Sequence, residues 1–177
     1  MGRMHFCSQC GAPVELRQPE GDTLERHVCT GCGEIHYLNP KVVVGAVCRW
    51  QGRVLLCRRA IEPRAGFWVV PAGYLERGES TEEGARREAW EEAGARIDIT
   101  GLMAVYNVVR IGQVQLFYGA RLLDPEVVAG PETLELDLFD WRAIPWDELA
   151  FPSVHWVLRR AQELKDQEGP YLPALGP

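Results

Sequence analysis

Four cysteines near the start of the chain constrain its fold most narrowly, because they form two pairs with two residues inside each pair. The pairs are Cys7 with Cys10 and Cys29 with Cys32. A thiolate pair at this spacing on a tight turn presents both sulfurs to one ion, and two such turns complete a tetrahedral Zn²⁺ site. Two disulfides would require an oxidising compartment, and a redox motif would require only one pair. The sequence therefore predicts a structural zinc site.

The segment that carries these cysteines, 1–38, is predicted to form a small zinc ribbon. Between the pairs, Pro-Glu-Gly-Asp at 19–22 is typical of a turn within a hairpin. A ribbon of this size folds only with its metal. Four thiolates complete the site, so the nearby histidines are expected to be incidental: His5, His27 and His36.

The remainder, 39–177, is predicted to be a second domain in which strands are followed by helices. Strand patterns lie at 41–50, 53–59, 97–109, 113–122 and 134–141. Apolar residues on one face predict a final helix from Ser153 to Glu168. Cys48 and Cys57 lie inside apolar runs and are expected to be buried thiols. This order predicts an α+β or α/β sandwich with a mixed sheet covered by helices.

A cluster of acidic residues occupies another predicted helix, Thr81 to Ala93. Ser80 and Glu83 form a capping-box pattern before it, and Gly94 supplies a typical stop. The cluster is Glu88, Glu91 and Glu92. Like charges three and four residues apart on a helix cost about 0.2 to 0.5 kcal/mol per pair. Carboxylates converging on one face suit Mg²⁺ or Mn²⁺, although a solvated acidic face gives the same pattern.

Composition and charge limit the classes of partner. The chain has a net charge of −6, which argues against a nucleic acid held through its phosphates, since that affinity comes from clustered Lys and Arg. The longest uninterrupted apolar run, 42–48, is too short to span a bilayer, and no segment near the start resembles a signal peptide. We therefore expect a cytoplasmic protein without membrane association.

Read with its flanks, the acidic helix resembles the signature of the Nudix hydrolases. The pattern is Gly73, five residues, Glu79, seven residues, then Arg87, Glu88, Ala89, Trp90, Glu91, Glu92, Ala93, Gly94 and Ala95. The resemblance implies an α/β/α Nudix sandwich with a mixed sheet, which binds Mg²⁺ or Mn²⁺ and hydrolyses a nucleoside diphosphate linked to another moiety.

The resemblance also implies roles for individual residues. Glu88 and Glu92 would be the main metal ligands together with the backbone carbonyl of Ala72, and Glu91 would be a further ligand or a positioning group. Arg87 would orient Glu91. The remaining candidates from the resemblance are Glu79, which would steady the loop before the helix, and Glu135 as the general base. Apart from the resemblance, an acidic protein needs positive charge near a diphosphate, and the candidates are Arg59, Arg58 and Arg64. The candidate platforms for the substrate are Tyr74, Tyr106, Trp68 and Phe67, although aromatic residues such as Trp68 are also typical of the core. The alternation of the strand around Glu135 equally fits an exposed polar face.

Beyond the signature, the cysteine pairs and the segments IHYLNPKVVVGAVC, FWVVPAGYLERGES and IPWDELAF resemble zinc-ribbon Nudix enzymes that cleave FAD to FMN and AMP, or ADP-ribose to AMP and ribose 5-phosphate. Relatives of this kind imply a homodimer. NADH and NAD-capped RNA diphosphatases are an alternative, but their SQPWPFPxS-like array is missing downstream of the signature. The proline of ADP-ribose enzymes is also missing, since Ile111 lies near its place.

An alternative from another class is a nucleic-acid-binding or protein-binding module with a vestigial hydrolase site. Against nucleic acid, residues 1–38 contain three Lys or Arg against five Asp or Glu and show no basic stripe. Against a vestigial site, all the signature carboxylates are retained. A diphosphatase that acts on a small dinucleotide is therefore the favoured prediction.

Overall fold

The computed structural model describes residues 4–165, 167 and 169–176, and the chain divides into two compact units. One unit ends at Pro40 and the other begins at Lys41. Within the described part of the chain, no helix combines the length and the apolar character that crossing a membrane requires.

The unit that ends at Pro40 is a three-stranded antiparallel sheet in the order β1-β2-β3. The strands are β1 Val14–Arg17, β2 Arg26–Cys29 and β3 Ile35–His36. β1 and β2 form the predicted hairpin, with Val14 opposite Cys29. Gly11 and Gly33, each directly after the second cysteine of a pair, have φ of 75° and 76°. Because this backbone region favours glycine, these residues allow the turns that bring the cysteines together.

The unit that begins at Lys41 is built on a mixed sheet in the order β10-β5-β4-β9-β8-β11, with β6 beside β5 and β7 beside β4. β4 runs parallel to β9, and β11 runs parallel to β8. The strands are β4 Lys41–Trp50, β5 Arg53–Arg59, β6 Trp68–Val69, β7 Ala72–Tyr74, β8 Ile97–Val108, β9 Gln113–Leu122, β10 Thr133–Phe139 and β11 Ala174–Gly176.

Two helices pack on opposite faces of this sheet. Helix α1, Thr81–Ala93, places Ala85 against Val44. Helix α2, Pro152–Glu163, packs Trp156 against Tyr106 with ring centroids 5.4 Å apart. Register places Val44 and Tyr106 on different faces, since Tyr106 pairs with the β9 residue that lies opposite Val43. The sandwich with a mixed sheet and a preceding ribbon is confirmed.

The core of this unit contains two cysteines and a tryptophan that the sequence analysis singled out. Cys48 and Cys57 are buried, as predicted. Trp68 is buried and meets Phe139 edge-on with centroids 4.9 Å apart, so it packs in the core. Burial raises the pKa of the Cys48 thiol to about 12. These thiols are therefore inert packing groups.

The main errors of the sequence predictions concern element ends. The final helix ends at Glu163 instead of continuing to residue 168, which lies outside the described residues. The chain turns at Leu164, which is buried, and Tyr171 then reaches Thr100 with a hydroxyl to hydroxyl distance of 2.9 Å. Tertiary contacts thus override helical periodicity here.

Strand ends shift for local reasons. β10 ends at Phe139, two residues before the predicted end, because Ala143 N–H donates to the carbonyl of Asp140 in a turn. β8 ends at Val108, where a 3₁₀ helix, Val109–Ile111, begins. β6, β7 and β11 have two or three residues each and were not predicted, because so short a segment carries no periodic signal.

Candidate active site and metal centre

The four cysteine sulfurs converge on one point. Their Sγ atoms lie within 4.8 Å of one another, with 3.4 Å between Cys10 and Cys29 and 3.8 Å between Cys7 and Cys32. The backbone N–H of Cys32 donates to Cys29 Sγ at 3.3 Å and is the main cause that lowers the pKa of this thiol to about 6. A thiol that ionises readily is a better ligand for a metal. The cysteines are therefore positioned for tetrahedral metal binding.

His36 has a closer relation to this centre than the sequence predicted. One of its ring nitrogens, Nε2, lies 3.3 Å from Cys7 Sγ, a distance suited to an N–H to sulfur hydrogen bond. Metal ligands are commonly oriented by such outer contacts. We therefore place His36 beside the cluster as a neighbour of a ligand, whereas the cysteines themselves fill the four positions.

Helix α1 begins and ends as its sequence predicted. Ser80 Oγ accepts from the N–H of Glu83 at 3.2 Å, and the Glu83 carboxylate accepts from the N–H of Ser80 at 2.7 Å. Gly94 has φ of 57° at the C-terminal cap. A complete capping box satisfies two N–H groups that the first turn would otherwise leave unpaired. The helix that carries the acidic cluster is thus fixed by residues on either side of it.

Arg87 links the acidic cluster to the loop before the helix. It donates to both carboxylate oxygens of Glu79, at 2.8 and 3.0 Å, and to Glu88 at 2.7 Å and Glu91 at 2.9 Å. It also donates to the backbone carbonyl of Tyr74 at 3.0 Å. The guanidinium beside Glu79 lowers the pKa of that carboxyl to about 2. One cation therefore holds three carboxylates in place.

Glu92 lies in a different environment from its neighbours on the helix. Its carboxylate accepts from the backbone N–H of Ala72 at 3.1 Å. Burial raises its pKa to about 8, and the negative charges of Glu88 and Glu132 act in the same direction. Burial likewise raises the pKa of Glu88, although Arg87 opposes the shift. Buried carboxylates with raised pKa values are stabilised as anions when a cation is near.

Strand β7 approaches the carboxylates closely. A Cβ atom at Gly73 would overlap the carboxylate of Glu88, which would have to move away from β7. The Ala72 N–H points to Glu92 and away from β4. Because the N–H and C=O of a strand residue point to the same side, the Ala72 carbonyl faces the same edge. Oxygen donors of this kind fit a hard divalent cation.

Most of the predicted site residues lie close together in the structure. The structure brings Ala72, Arg87 and the three glutamates of α1 together. Arg59 is also near, since its positive charge partly offsets the rise in the pKa of Glu92. Tyr74 is 48% exposed, and Lys41 Nζ lies 4.7 Å from the centroid of its ring.

Glu135 has another partner in the structure. Its carboxylate forms an ion pair with Arg58 at 3.1 Å, and both side chains are largely exposed. Glu132 is among the negative charges that raise the pKa values of Glu88 and Glu92. Glu132 lies just before β10, and its carbonyl accepts from the N–H of Ala60 at 2.8 Å. Sequence reasoning missed this residue, because it is brought to α1 by the pairing of β10 with β5 and by the N–H of Gly130, which donates to the carbonyl of Glu92 at 3.1 Å.

Comparison with known protein families gives two matches that together span most of the chain. A model described as NUDIX domain matches residues 38–164, and a model described as Nudix N-terminal matches residues 5–38. The first includes the acidic helix, β7 and the strand that follows Glu132. The second includes all four clustered cysteines.

Individual relatives agree with these matches. The crystal structure of a NUDIX hydrolase from Nitrosomonas europaea is 45% identical, with a TM-score of 0.91 over 98% of this chain and 100% of that one. An ADP-ribose pyrophosphatase from Methanocaldococcus jannaschii is 30% identical over 65% of this chain and 69% of its own. An NAD-capped RNA hydrolase from Stutzerimonas stutzeri is 32% identical over 90% of this chain, which spans only 55% of that relative's length.

Proposed function

Because the chain belongs to the Nudix hydrolase family, we propose that it hydrolyses the diphosphate bond of a nucleoside diphosphate linked to another moiety. One observation carries the proposal: the carboxylates of Glu88, Glu91 and Glu92 meet Arg87 and the backbone of Ala72 at one edge of the sheet. Such an arrangement suits a reaction in which charge neutralisation and positioning matter more than a nucleophilic side chain.

Glu88, Glu92 and the Ala72 carbonyl would hold Mg²⁺ or Mn²⁺, with Glu91 as a further ligand or positioning group. A bound divalent cation lowers the pKa of a water molecule and neutralises phosphate oxygens. The role of Arg87 is to offset the repulsion between the carboxylates when no metal is bound. Its two hydrogen bonds to Glu79 hold the guanidinium in place when Glu88 and Glu91 turn towards a cation.

A carboxylate must accept the proton from the attacking water. Glu135 is the candidate from sequence, and Glu132 is the candidate supported by its electrostatic coupling to Glu88 and Glu92. Arg59 supplies positive charge beside Glu92, where the diphosphate would lie. We propose that one of the two glutamates is the base and that Glu132 is better placed.

The substrate we propose is ADP-ribose or FAD. The relative from Methanocaldococcus jannaschii, named an ADP-ribose pyrophosphatase, supports ADP-ribose. FAD rests on the sequence resemblance. A second candidate is NAD-capped RNA, because the relative from Stutzerimonas stutzeri with that activity in its name is similar over 162 residues, which is 90% of this chain. This chain lacks the SQPWPFPxS-like array of the NADH and NAD-capped RNA diphosphatases, which still favours the small dinucleotides as substrates.

The test is a product assay with Mg²⁺ or Mn²⁺ that compares kcat/KM for FAD, ADP-ribose, NADH and NAD-capped RNA. Release of AMP from FAD or ADP-ribose at the highest kcat/KM would support the proposal. Preference for NADH or capped RNA would move the chain to the second candidate. The variant Glu92→Gln is the matched control for contaminating phosphatases, and hydrolysis at the wild-type rate in that variant would contradict the assigned site.

We also propose that the cysteine cluster holds Zn²⁺ as a structural ion, that the ribbon and the Nudix unit are separate domains, and that the protein is a cytoplasmic homodimer. The convergent Sγ atoms support zinc. Metal analysis of the purified protein tests the first point, since one equivalent of zinc per chain is expected. Sedimentation equilibrium tests the dimer, which a monomer mass would contradict.

A further inference from the structure

Three side chains beside the proposed active site form a continuous line of hydrogen bonds. Gln115 Nε2 donates to Gln113 Oε1 at 2.8 Å, and Gln113 Nε2 donates to the Tyr74 hydroxyl at 3.3 Å. At the inner end, Gln115 is only 9% exposed, and its Oε1 has no hydrogen-bond partner among the described residues. The outer end is Tyr74, which is half exposed.

The strand register explains how these residues meet. Tyr74 on β7 lies opposite Val43 on β4, and Val43 lies opposite Gln115 on β9. Residues opposite one another in a sheet share a face. Gln113 and its partner Lys41 lie two residues along the same strands and therefore on the same face. This is the face opposite the one that α1 covers.

The buried amide of Gln115 is poorly explained by packing. A buried acceptor without a donor destabilises the fold, whereas an apolar side chain of the same shape would avoid that cost. Rotating both amides by half a turn does not remove the problem, because Gln115 would then present an unpaired N–H group. One polar group at the inner end lacks a partner in either orientation. This cost to stability points to a role for the Gln115 amide other than packing.

The outer end has the composition of a binding site. Because the Tyr74 hydroxyl accepts from Gln113, its own hydrogen is free to be donated outwards. The Lys41 ammonium, 4.7 Å from the ring centroid of Tyr74, adds a second donor. With both amides reversed, the Tyr74 hydroxyl would donate to Gln113 and would be free to accept a hydrogen bond from the ligand. A ligand hydroxyl, which both donates and accepts, pairs with Tyr74 in either case.

The position of Tyr74 restricts which part of a substrate reaches it. Ala72, whose N–H binds Glu92, is two residues before Tyr74 on the same strand, a separation of about 7 Å. The carbonyl of Tyr74 is bound by Arg87, which also holds Glu88 and Glu91. If the diphosphate lies at those carboxylates, the atoms next in line are the hydroxyls of the sugar or sugar alcohol attached to it.

We propose that Tyr74, Lys41, Gln113 and Gln115 form a subsite that binds hydroxyl groups of the sugar or sugar-alcohol portion joined to the diphosphate. The location of the ligand rests on the proposed function. Tyr74 and Lys41 contact the hydroxyls, and Gln113 and Gln115 are positioning residues that set the direction of the Tyr74 hydroxyl. In this arrangement, Gln115 is retained for specificity at the expense of stability.

The test compares Tyr74→Phe and Gln115→Met with wild type on ADP-ribose and FAD. Loss of one neutral hydrogen bond is expected to raise KM about 3- to 10-fold with kcat changed less than about 2-fold. Gln115→Met is also expected to melt at the same or a higher temperature, which distinguishes it from a merely structural substitution. Gln162→Met, on the exposed side of α2, is the matched control and is expected to leave both values unchanged.

The pattern across substrates identifies the hydroxyls. A rise in KM confined to ADP-ribose assigns the terminal ribose, a rise confined to FAD assigns the ribityl chain, and an equal rise for both assigns the ribose of the shared adenosine half. Unchanged KM for both substrates in both variants would overturn the subsite. A Gln115→Met variant that melts lower and loses kcat equally on both substrates would also overturn it.

Calorimetric binding of ADP-ribose and of FAD without added divalent cation separates this inference from the proposed function. If wild type binds but hydrolyses neither compound, and Gln115→Met binds about 3- to 10-fold more weakly, the proposed function fails while the subsite stands. If wild type hydrolyses either compound and the variants bind and hydrolyse it equally well, the subsite fails while the proposed function stands.

Discussion

The two candidate metal centres of this chain differ in how their ligands are held before a metal arrives. The four cysteine sulfurs already lie within 4.8 Å of one another. In contrast, the carboxylates of α1 are engaged elsewhere, because Arg87 binds Glu88 and Glu91 while the N–H of Ala72 binds Glu92. A cation at the first centre meets converging ligands, whereas a cation at the second must compete with existing hydrogen bonds.

The difference follows from the chemistry of the ligands and from their origin in the chain. Thiols form weak hydrogen bonds, so few groups compete with a metal for them. Carboxylates attract arginine strongly, and Arg87 satisfies them in the absence of metal. The cysteines come from two local turns, but the second centre also depends on Ala72, Glu79 and Glu132 from other segments. We therefore expect the first centre to govern folding and the second to govern catalysis.

The largest expected effect is on the ribbon. Structural zinc contributes about 10 to 16 kcal/mol to the folding of comparable small modules, so removal of metal by a strong chelator is expected to unfold β1, β2 and β3. Amide NMR spectra would show collapse of the signals from residues 4–40, while those from β4 and β9 persist. The same result is expected for Cys29→Ser without chelator.

His36→Asn provides the matched control, because it removes a contact to Cys7 but no ligand. We expect this variant to retain one equivalent of zinc and its dispersed spectrum. Dispersed signals from β1 and β2 after complete loss of zinc would show that the ribbon folds without metal and that the first centre does not govern folding.

Glu92→Gln is expected to reduce kcat about 10³-fold or more, because the amide removes a charged ligand from the proposed catalytic centre. Glu82→Gln is a suitable control, since Glu82 lies on the exposed side of the same helix and forms an exposed ion pair with Arg86. Wild-type turnover in Glu92→Gln would remove Glu92 from the set of ligands. Loss of turnover in the control would indicate damage to the helix instead.

The same substitution predicts a pH dependence of stability in the absence of metal. The pKa of Glu92 is raised by burial to about 8, above the ordinary value of 4.5 for a glutamate, so its neutral form favours the fold. This contribution is fully present below about pH 4.5 and is lost as pH rises to about 8. The Glu92→Gln variant has no carboxyl group to ionise there, so it does not lose this stability as pH rises. It is therefore expected to be more stable than wild type at pH 8.

The expected difference at pH 8 is on the order of 3 kcal/mol, and it should vanish near pH 4.5. Urea unfolding followed by fluorescence, without added divalent cation and at several pH values, measures it. Equal stability of the two proteins at pH 8 would show that the carboxylate ionises without cost in the fold and that the site is more hydrated than the burial of Glu92 indicates.

A third substitution sharpens the role of distant segments. Glu132→Gln is expected to lower kcat about 10²-fold if Glu132 accepts the proton from water, within the range for general bases. Glu135→Gln is the matched comparison, because it removes an exposed ion pair with Arg58 and is expected to change kcat less than about 2-fold. A larger loss in Glu135→Gln than in Glu132→Gln would return the role of base to Glu135.

Much of the fold could be predicted because its signals are local. The capping box at Ser80 and Glu83, the glycine at 94 and the alternating or continuous apolar runs each specify a conformation within a few residues. The cysteine spacing similarly predicts a metal centre directly. The end of α2 could not be predicted, because the contact between Tyr171 and Thr100 joins residues 71 positions apart.

The local part of the candidate active site could also be predicted, whereas its contacts with other segments could not. The signature identifies the glutamates on α1, since they share a helix and a spacing. It gives no sign that Arg87 binds both oxygens of Glu79, or that Glu132 acts on Glu92 from the loop before β10. The line from Tyr74 to Gln115 was also invisible, because it depends on the pairing of β7, β4 and β9. Side chains assembled by strand pairing carry no local spacing.

The smallest expected effect concerns the local part of the catalytic centre. Ser80→Ala removes the oxygen that accepts the N–H of Glu83, so the free energy of unfolding should fall by about 1 kcal/mol. Ser80→Asp keeps an acceptor there and is expected to retain stability. Both are measured by urea unfolding, together with kcat. We expect kcat to stay within about 2-fold in both, because Arg87, Glu79 and β7 hold the glutamates independently of the cap. A large fall in kcat for Ser80→Ala alone would show that the helix cap, and not these distant contacts, positions the carboxylates.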